Sequence, residues 1–79
     1  MNMKSVTIKL DTINDVKNFV NTVCRYDFDV DLVSGRYAVD AKSIMGIFSL
    51  DLAKPIKMDI YSDNCAEFLD QVKAFIVEQ

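Results

Sequence analysis

The chain has 79 residues, of which just over half are hydrophobic, while glycine and proline together number three. That length and composition predict one folded domain over residues 1-79, with a thin core, rather than a linker or a disordered tail. Twelve acidic side chains outweigh nine scattered basic ones, so the net charge is -3 and no basic stripe exists to displace the counterions of a nucleic acid.

No apolar run approaches the roughly 18 residues of a membrane span, and the start Met1-Asn2-Met3-Lys4 lacks the apolar core of a signal peptide. A cytoplasmic, membrane-free protein is therefore expected. There is no histidine, and the two cysteines, Cys24 and Cys65, lie far apart. They are too few for a zinc site and wrongly spaced for a redox pair. Each falls on an apolar helix face, which predicts two small buried hydrophobes in a reducing compartment. No metal and no cofactor are expected.

Taken in chain order, the periodicity alternates between 2 and 3.6. Val6, Ile8 and Leu10 alternate with Ser5, Thr7 and Lys9, the pattern of a strand with one wet face. A helix follows, with Ile13, Val16, Phe19, Val20, Val23 and Cys24 on its apolar face. Thr12 is placed to cap it, with Asp15 three residues on completing a capping box. Phe28, Val30 and Leu32 alternate with Asp27, Asp29 and Asp31 as a second strand. Those aspartates, in a line about 7 Å apart, predict a solvated face rather than a cation site. Ser34-Gly35 supplies a tight turn into a third strand through Tyr37 and Val39.

Ser43 stands where it would cap a short helix over Ile44 to Leu50, and Pro55 prevents that helix from continuing. In that apolar run Ile47 and Leu50 are the expected core residues. Ile56, Met58 and Ile60 then alternate as a fourth strand. Asp63-Asn64 is expected to cap a final helix whose stripe is Cys65, Phe68, Leu69, Val72 and Ile76. The order is β-α-β-β-α-β-α. It predicts an α/β (α+β) open-faced sandwich, a four-stranded, mainly antiparallel sheet with three helices on one face.

The segment Asp40-Ala41-Lys42-Ser43-Ile44-Met45-Gly46-Ile47-Phe48-Ser49-Leu50 resembles the K-S-I-M-G-(V/I)-M-S-L region of HPr, the phosphocarrier family of bacterial sugar uptake. The likeness runs without gaps from about Cys24 to Ile60, through Arg25-Tyr26-Asp27, the Ser34-Gly35 turn and Leu52-Ala53-Lys54, and the order of elements is also the family's. Within the family, the chain is similar to the histidine-less homologue of HPr that serves catabolite repression.

The resemblance implies that Ser43 is the site of regulatory phosphorylation by an HPr kinase/phosphorylase. It also implies that Ile44, Met45 and Phe48, with Lys42 beside them, form an exposed docking patch for that kinase and for transcriptional or metabolic regulators. The residues themselves allow two other readings: Ser43 as a cap only, and the three apolar side chains as part of the core. The family carries its phosphoryl group on a histidine in a His-Ala-Arg-Pro motif at the start of the first helix. Here the ungapped alignment puts Thr12, Asn14 and Asp15 at the histidine, arginine and proline positions.

Phosphoryl transfer of that kind needs a nitrogen nucleophile and cationic stabilisation, and Thr12 has neither. Carrier chemistry is excluded by composition, and no base-nucleophile pair suggests an enzyme. Phe48 replaces the family's methionine, and Asp51 replaces a glycine that closes the short helix. The function expected is phosphorylation-controlled protein docking in the phosphotransferase system. The alternative is a constitutive interaction or oligomerisation module in which Ser43 is never modified.

Overall fold

In a computed structural model, which describes residues 3-77, five strands form one antiparallel sheet backed by helices. The leader-free reading of the N-terminus falls partly on residues 1 and 2, outside that range. The strands are β1 (Lys4–Ile8), β2 (Val30–Ser34), β3 (Tyr37–Asp40), β4 (Ile56–Ile60) and β5 (Ile76–Val77), in the spatial order β3-β2-β4-β1-β5. The helices are α1 (Ile13–Val23), α2 (Ile44–Phe48) and α3 (Ala66–Gln71), with a 3-10 turn at Lys73–Phe75.

The register explains why one face of the sheet is apolar. Leu32, Met58 and Val6 stand side by side across β2, β4 and β1, as do Val30 and Ile60, and Ile56 and Ile8. All seven are buried. They pack with Val16, Phe19 and Val23 of α1, Ile47 of α2, and Phe68 and Val72 from the C-terminal segment. The opposite face carries the intervening residues Ser5, Thr7, Asp31, Val33, Lys57 and Asp59, as the period of two requires. At the β2-β3 turn Gly35 has a φ of +61° and Arg36 a negative φ. A glycine in the first loop position suits a two-residue hairpin.

Aromatic contacts close the ends of the core. The Phe19 ring meets Phe75 edge-on at 5.9 Å, tying α1 to the 3-10 turn. Tyr26, Phe28 and Phe68 form a three-ring cluster with centroids 5.2–5.5 Å apart, which fixes the loop between α1 and β2 against α3.

Several sequence expectations need correction. The sheet has five strands, not four: the last helix stops at Gln71, and Ile76, expected on its stripe, instead pairs with Ile8 of β1. Strand β1 ends at Ile8 and β2 begins at Val30, so Leu10 and Phe28 pack on the core from the flanking loops. Asp63-Asn64 does not cap α3. Cys65 occupies the cap position, without a side-chain hydrogen bond. Ile13 is 63% exposed, because the first helical turn projects past the edge of the core. Cys24 also stands in solvent, as the C-cap of α1, while Cys65 is buried.

Candidate functional site

Ser43 sits where β3 turns into α2, and the turn is pinned from both sides. The Ala41 N–H donates to the Val30 carbonyl at 2.8 Å, the Ser43 N–H to the Asp40 carbonyl at 2.9 Å, and the Lys42 N–H to the Asp40 carboxylate at 2.9 Å. Ser43 then caps α2: its Oγ accepts from the Gly46 N–H at 3.1 Å, and its carbonyl from the Ile47 N–H at 3.1 Å. The hydroxyl stays exposed. Gly46 keeps that arrangement uncrowded, since a Cβ there would lie 3.3 Å from both Ser43 Oγ and Val39 Cβ.

One turn of α2 sorts the apolar run into two faces. Ile47 is fully buried and Leu50 nearly so, as expected. Met45 is 78% exposed and Phe48 42%, while Ile44 is half-buried against the core. The last turn closes with Ser49, whose hydroxyl donates to the Gly46 carbonyl, and with Asp51, whose carboxylate accepts from the Ala53 N–H at 3.1 Å. The helix itself closes at Ser49, and Asp51 caps the turn that follows.

Lys42 is held rather than free. Its ammonium donates to the Tyr26 carbonyl at 2.9 Å, at the loop that follows α1, and its own carbonyl lies 3.9 Å from Cys24 Sγ. Beside it, Lys17, Val20, Asn21, Lys42 and Ile44 line a groove of about 370 Å³ between α1 and α2. Sequence reasoning missed this groove and the exposed Ile13. Lys17 looked like one more charge on a wet helix face, and only the α1-α2 packing sets it opposite Ile44.

Thr12 serves a different helix and shares no hydrogen-bond partner with Ser43. Its Oγ1 accepts from the Asp15 N–H at 3.0 Å, and one Asp15 carboxylate oxygen accepts from the N–H groups of Thr12 and Asp11 at 3.2 and 3.1 Å. The capping box expected from the sequence is present in full. The Asp15 carboxylate thus takes the two N–H groups just before the first residue of α1. Lys9, just past the end of the preceding strand, is paired with Asp11 at 2.7 Å and donates to the Leu52 carbonyl.

Elsewhere, Asp31 faces Asp40 on one side and Asp59 on the other across the open face of the sheet. Tyr61 beside them has its phenol raised above the ordinary value near 10, by desolvation first and then by the carboxylates of Asp31, Asp59 and Asp29. Among the described residues, no group of three or more acidic, histidine or cysteine side chains is arranged to hold a metal ion. Among them, too, no helix is long and apolar enough to cross a membrane.

A family model for the PTS HPr component phosphorylation site matches residues 14–78. The chain belongs to the HPr family. Similar solved structures are HPr-C-His from Thermoanaerobacter tengcongensis and a phosphocarrier protein HPr from Bacillus anthracis str. Ames. The first is 25% identical, with a TM-score of 0.73 over 94% of this chain and 89% of that one. The second is 23% identical, with a TM-score of 0.75 over 98% of this chain and all of that one. No curated protein sequence matches the chain significantly.

HPr proteins are carriers rather than enzymes. This HPr-family chain contains no histidine at all, and the matched span begins at Asn14, past Thr12. It therefore has the family's fold without a residue able to hold phosphohistidine.

Proposed function

We propose that this HPr-family protein is a regulatory, non-carrier member that acts by docking to other proteins in the cytoplasm, with Ser43 as its phosphorylation site. The observation that carries the reading is the juxtaposition on α2 of an exposed serine hydroxyl with two exposed apolar side chains, Met45 and Phe48. A phosphate added at Ser43 changes the charge at one end of that apolar face without entering the core. Ile44 completes the patch from its half-buried position.

The expected kinase is an HPr kinase/phosphorylase. In the transfer, Ser43 Oγ bonds to the γ-phosphorus of ATP, ADP departs, and the hydroxyl proton passes to a base on the kinase. Lys42 is committed to the Tyr26 carbonyl, and Asn14 has no charge to offer. The partner, a transcriptional or metabolic regulator, then reads the phosphate with its own arginine or lysine.

The test is to incubate the protein and its Ser43→Ala variant with an HPr kinase/phosphorylase and ATP, and to take intact masses. One added phosphate on the wild type and none on the variant supports the reading. Equal modification of both, or of neither, leaves the constitutive interaction module in its place.

A further inference from the structure

Beyond the α2 patch, a second surface lies at the other end of that helix. Ser34, Arg36 and Tyr37 of the β2-β3 turn face Ser49, Asp51 and Lys54, which follow α2, across an open groove of about 600 Å³. Tyr37 is 68% exposed, and both Arg36 and Lys54 stand in solvent. Neither cation forms an ion pair among the described residues. The Asp51 carboxylate turns to the Ala53 N–H and caps its own turn. With Asp51 counted, the groove still carries one net positive charge on a chain of net charge -3, and its aromatic wall is the exposed ring of Tyr37.

From this arrangement we infer that the groove receives an acidic segment of a partner protein. Three features select that occupant. The groove is open to solvent along the turn, so it suits the side chains of an extended segment better than a small ligand, which is normally enclosed over most of its surface. Its two cations come from different elements, neither is ion-paired, and together they outnumber the single carboxylate of Asp51, so an acidic segment is the complementary chemistry. Arginine and tyrosine together are the residue types that most often dominate binding energy at protein interfaces. The competing cationic place, the α1-α2 groove, is weaker because Lys42 is already spent on the Tyr26 carbonyl.

The surface does not depend on whether Ser43 is phosphorylated. It adjoins Phe48 in sequence, through Ser49, so that one partner can span both.

The experiment is amide NMR on the full chain, titrated with an acetylated hexaglutamate peptide, with inorganic phosphate and with hexalysine. The amides of Gly35, Arg36, Tyr37 and Lys54 shift with hexaglutamate, and affinity falls roughly tenfold in the Arg36→Gln/Lys54→Gln double variant and on raising the salt. The Met45→Ala variant, which damages the α2 patch alone, retains the shifts, so failure of the docking proposal and failure of this one are told apart. The inference is overturned if hexaglutamate moves nothing, if the shifts centre on Lys17 and Lys42, if the double variant binds unchanged, or if phosphate or hexalysine gives the same pattern.

Discussion

The Ser5 hydroxyl donates a 2.6 Å hydrogen bond to the carboxylate of Asp59 across the β1-β4 pair. Asp59 is 6% exposed, the one buried charged residue among those described, and it is ion-paired with Lys57 at 3.6 Å. On its far side stands Asp31, which also opposes Asp40. The serine and Lys57 together hold the carboxylate that faces Asp31.

Ser5→Ala removes that bond and is expected to cost about 1.5–3 kcal/mol, the range for a hydrogen bond to a charged group. Asp31→Asn should act in the opposite direction, by about 0.2–1 kcal/mol, because it relieves two like-charge cross-strand contacts. Urea unfolding of the two variants checks both signs. An Asp31→Asn variant less stable than the wild type would show that the hydrogen bond between Asp31 and Tyr61 outweighs the repulsion in the row of aspartates.

The same carboxylates govern Tyr61. Its phenol titrates above the ordinary value near 10, because desolvation and the charges of Asp31, Asp59 and Asp29 disfavour the phenolate. In the unfolded chain Tyr61 ionises at its ordinary value, so above that pH the unfolded state has released a proton that the native state still holds. The stability it contributes is present below the unfolded value and is lost as pH rises toward the folded one. Ultraviolet titration should show the high-pH phenol moving down in Asp31→Asn, and Tyr61→Phe should flatten the alkaline fall in stability.

Phe19 is fully buried in α1 and meets Phe75 edge-on. Its replacement by alanine is expected to cost about 3–5 kcal/mol, a large share of the stability of so small a core. A cooperative urea transition within about 1 kcal/mol of wild type would mean that the core re-closes around the cavity.

Much of this was legible in the sequence, because the strongest signals were local. Val6 and Ile8, Ile56, Met58 and Ile60, and Val16, Phe19 and Val23 announce their buried faces by period alone. Thr12 and Ser43 announce helix starts because a cap is defined within four residues. The misplaced cap of α3 is a local miss, at Cys65 rather than Asp63-Asn64, and most of the others depend on partners distant in sequence. Strand β5 has two residues, too few for a period, and exists because Ile76 meets Ile8 and the Lys9 N–H reaches the Phe75 carbonyl. Cys24 and Ile13 obey the helical stripe, but they stand at its ends, where the sheet no longer covers it. The Arg36-Lys54 groove needs the hairpin tip set beside the end of α2, which no spacing encodes.

Placing a histidine at position 12 should not by itself confer carrier function. The Asp15 carboxylate would still stand at the start of α1, accepting from the N–H groups of Asp11 and residue 12, and its charge repels an incoming phosphoryl group. With Enzyme I and phosphoenolpyruvate, the wild type should acquire no acid-labile phosphate, and Thr12→His little. The triple variant Thr12→His/Asn14→Arg/Asp15→Pro should acquire more than the single one. Equal labelling of both variants would show that Asp15 is no obstacle.

Gly46 offers the sharpest test of the Ser43 region. Alanine in a helix interior ordinarily gains about 1 kcal/mol over glycine. Here the new methyl would stand 3.3 Å from both Ser43 Oγ and Val39 Cβ. Val39 packs against the core from β3 and has little room to retreat, so Ser43 must turn away and give up its hydrogen bond to the residue 46 N–H. Loss of that cap costs about 1 kcal/mol, which cancels the propensity gain. Gly46→Ala should therefore melt close to wild type, while its displaced hydroxyl is phosphorylated more slowly by an HPr kinase/phosphorylase. Ser43→Ala, which loses the cap with no gain in return, should melt lower and accept no phosphate. Ser43→Asp should keep a cap but imitate the phosphate poorly, having less charge and fewer acceptor oxygens. If Gly46→Ala is clearly more stable than wild type and is phosphorylated at the same rate, Ser43 moves freely in its turn, and the account of that turn given by Asp40, Gly46 and Val39 is wrong.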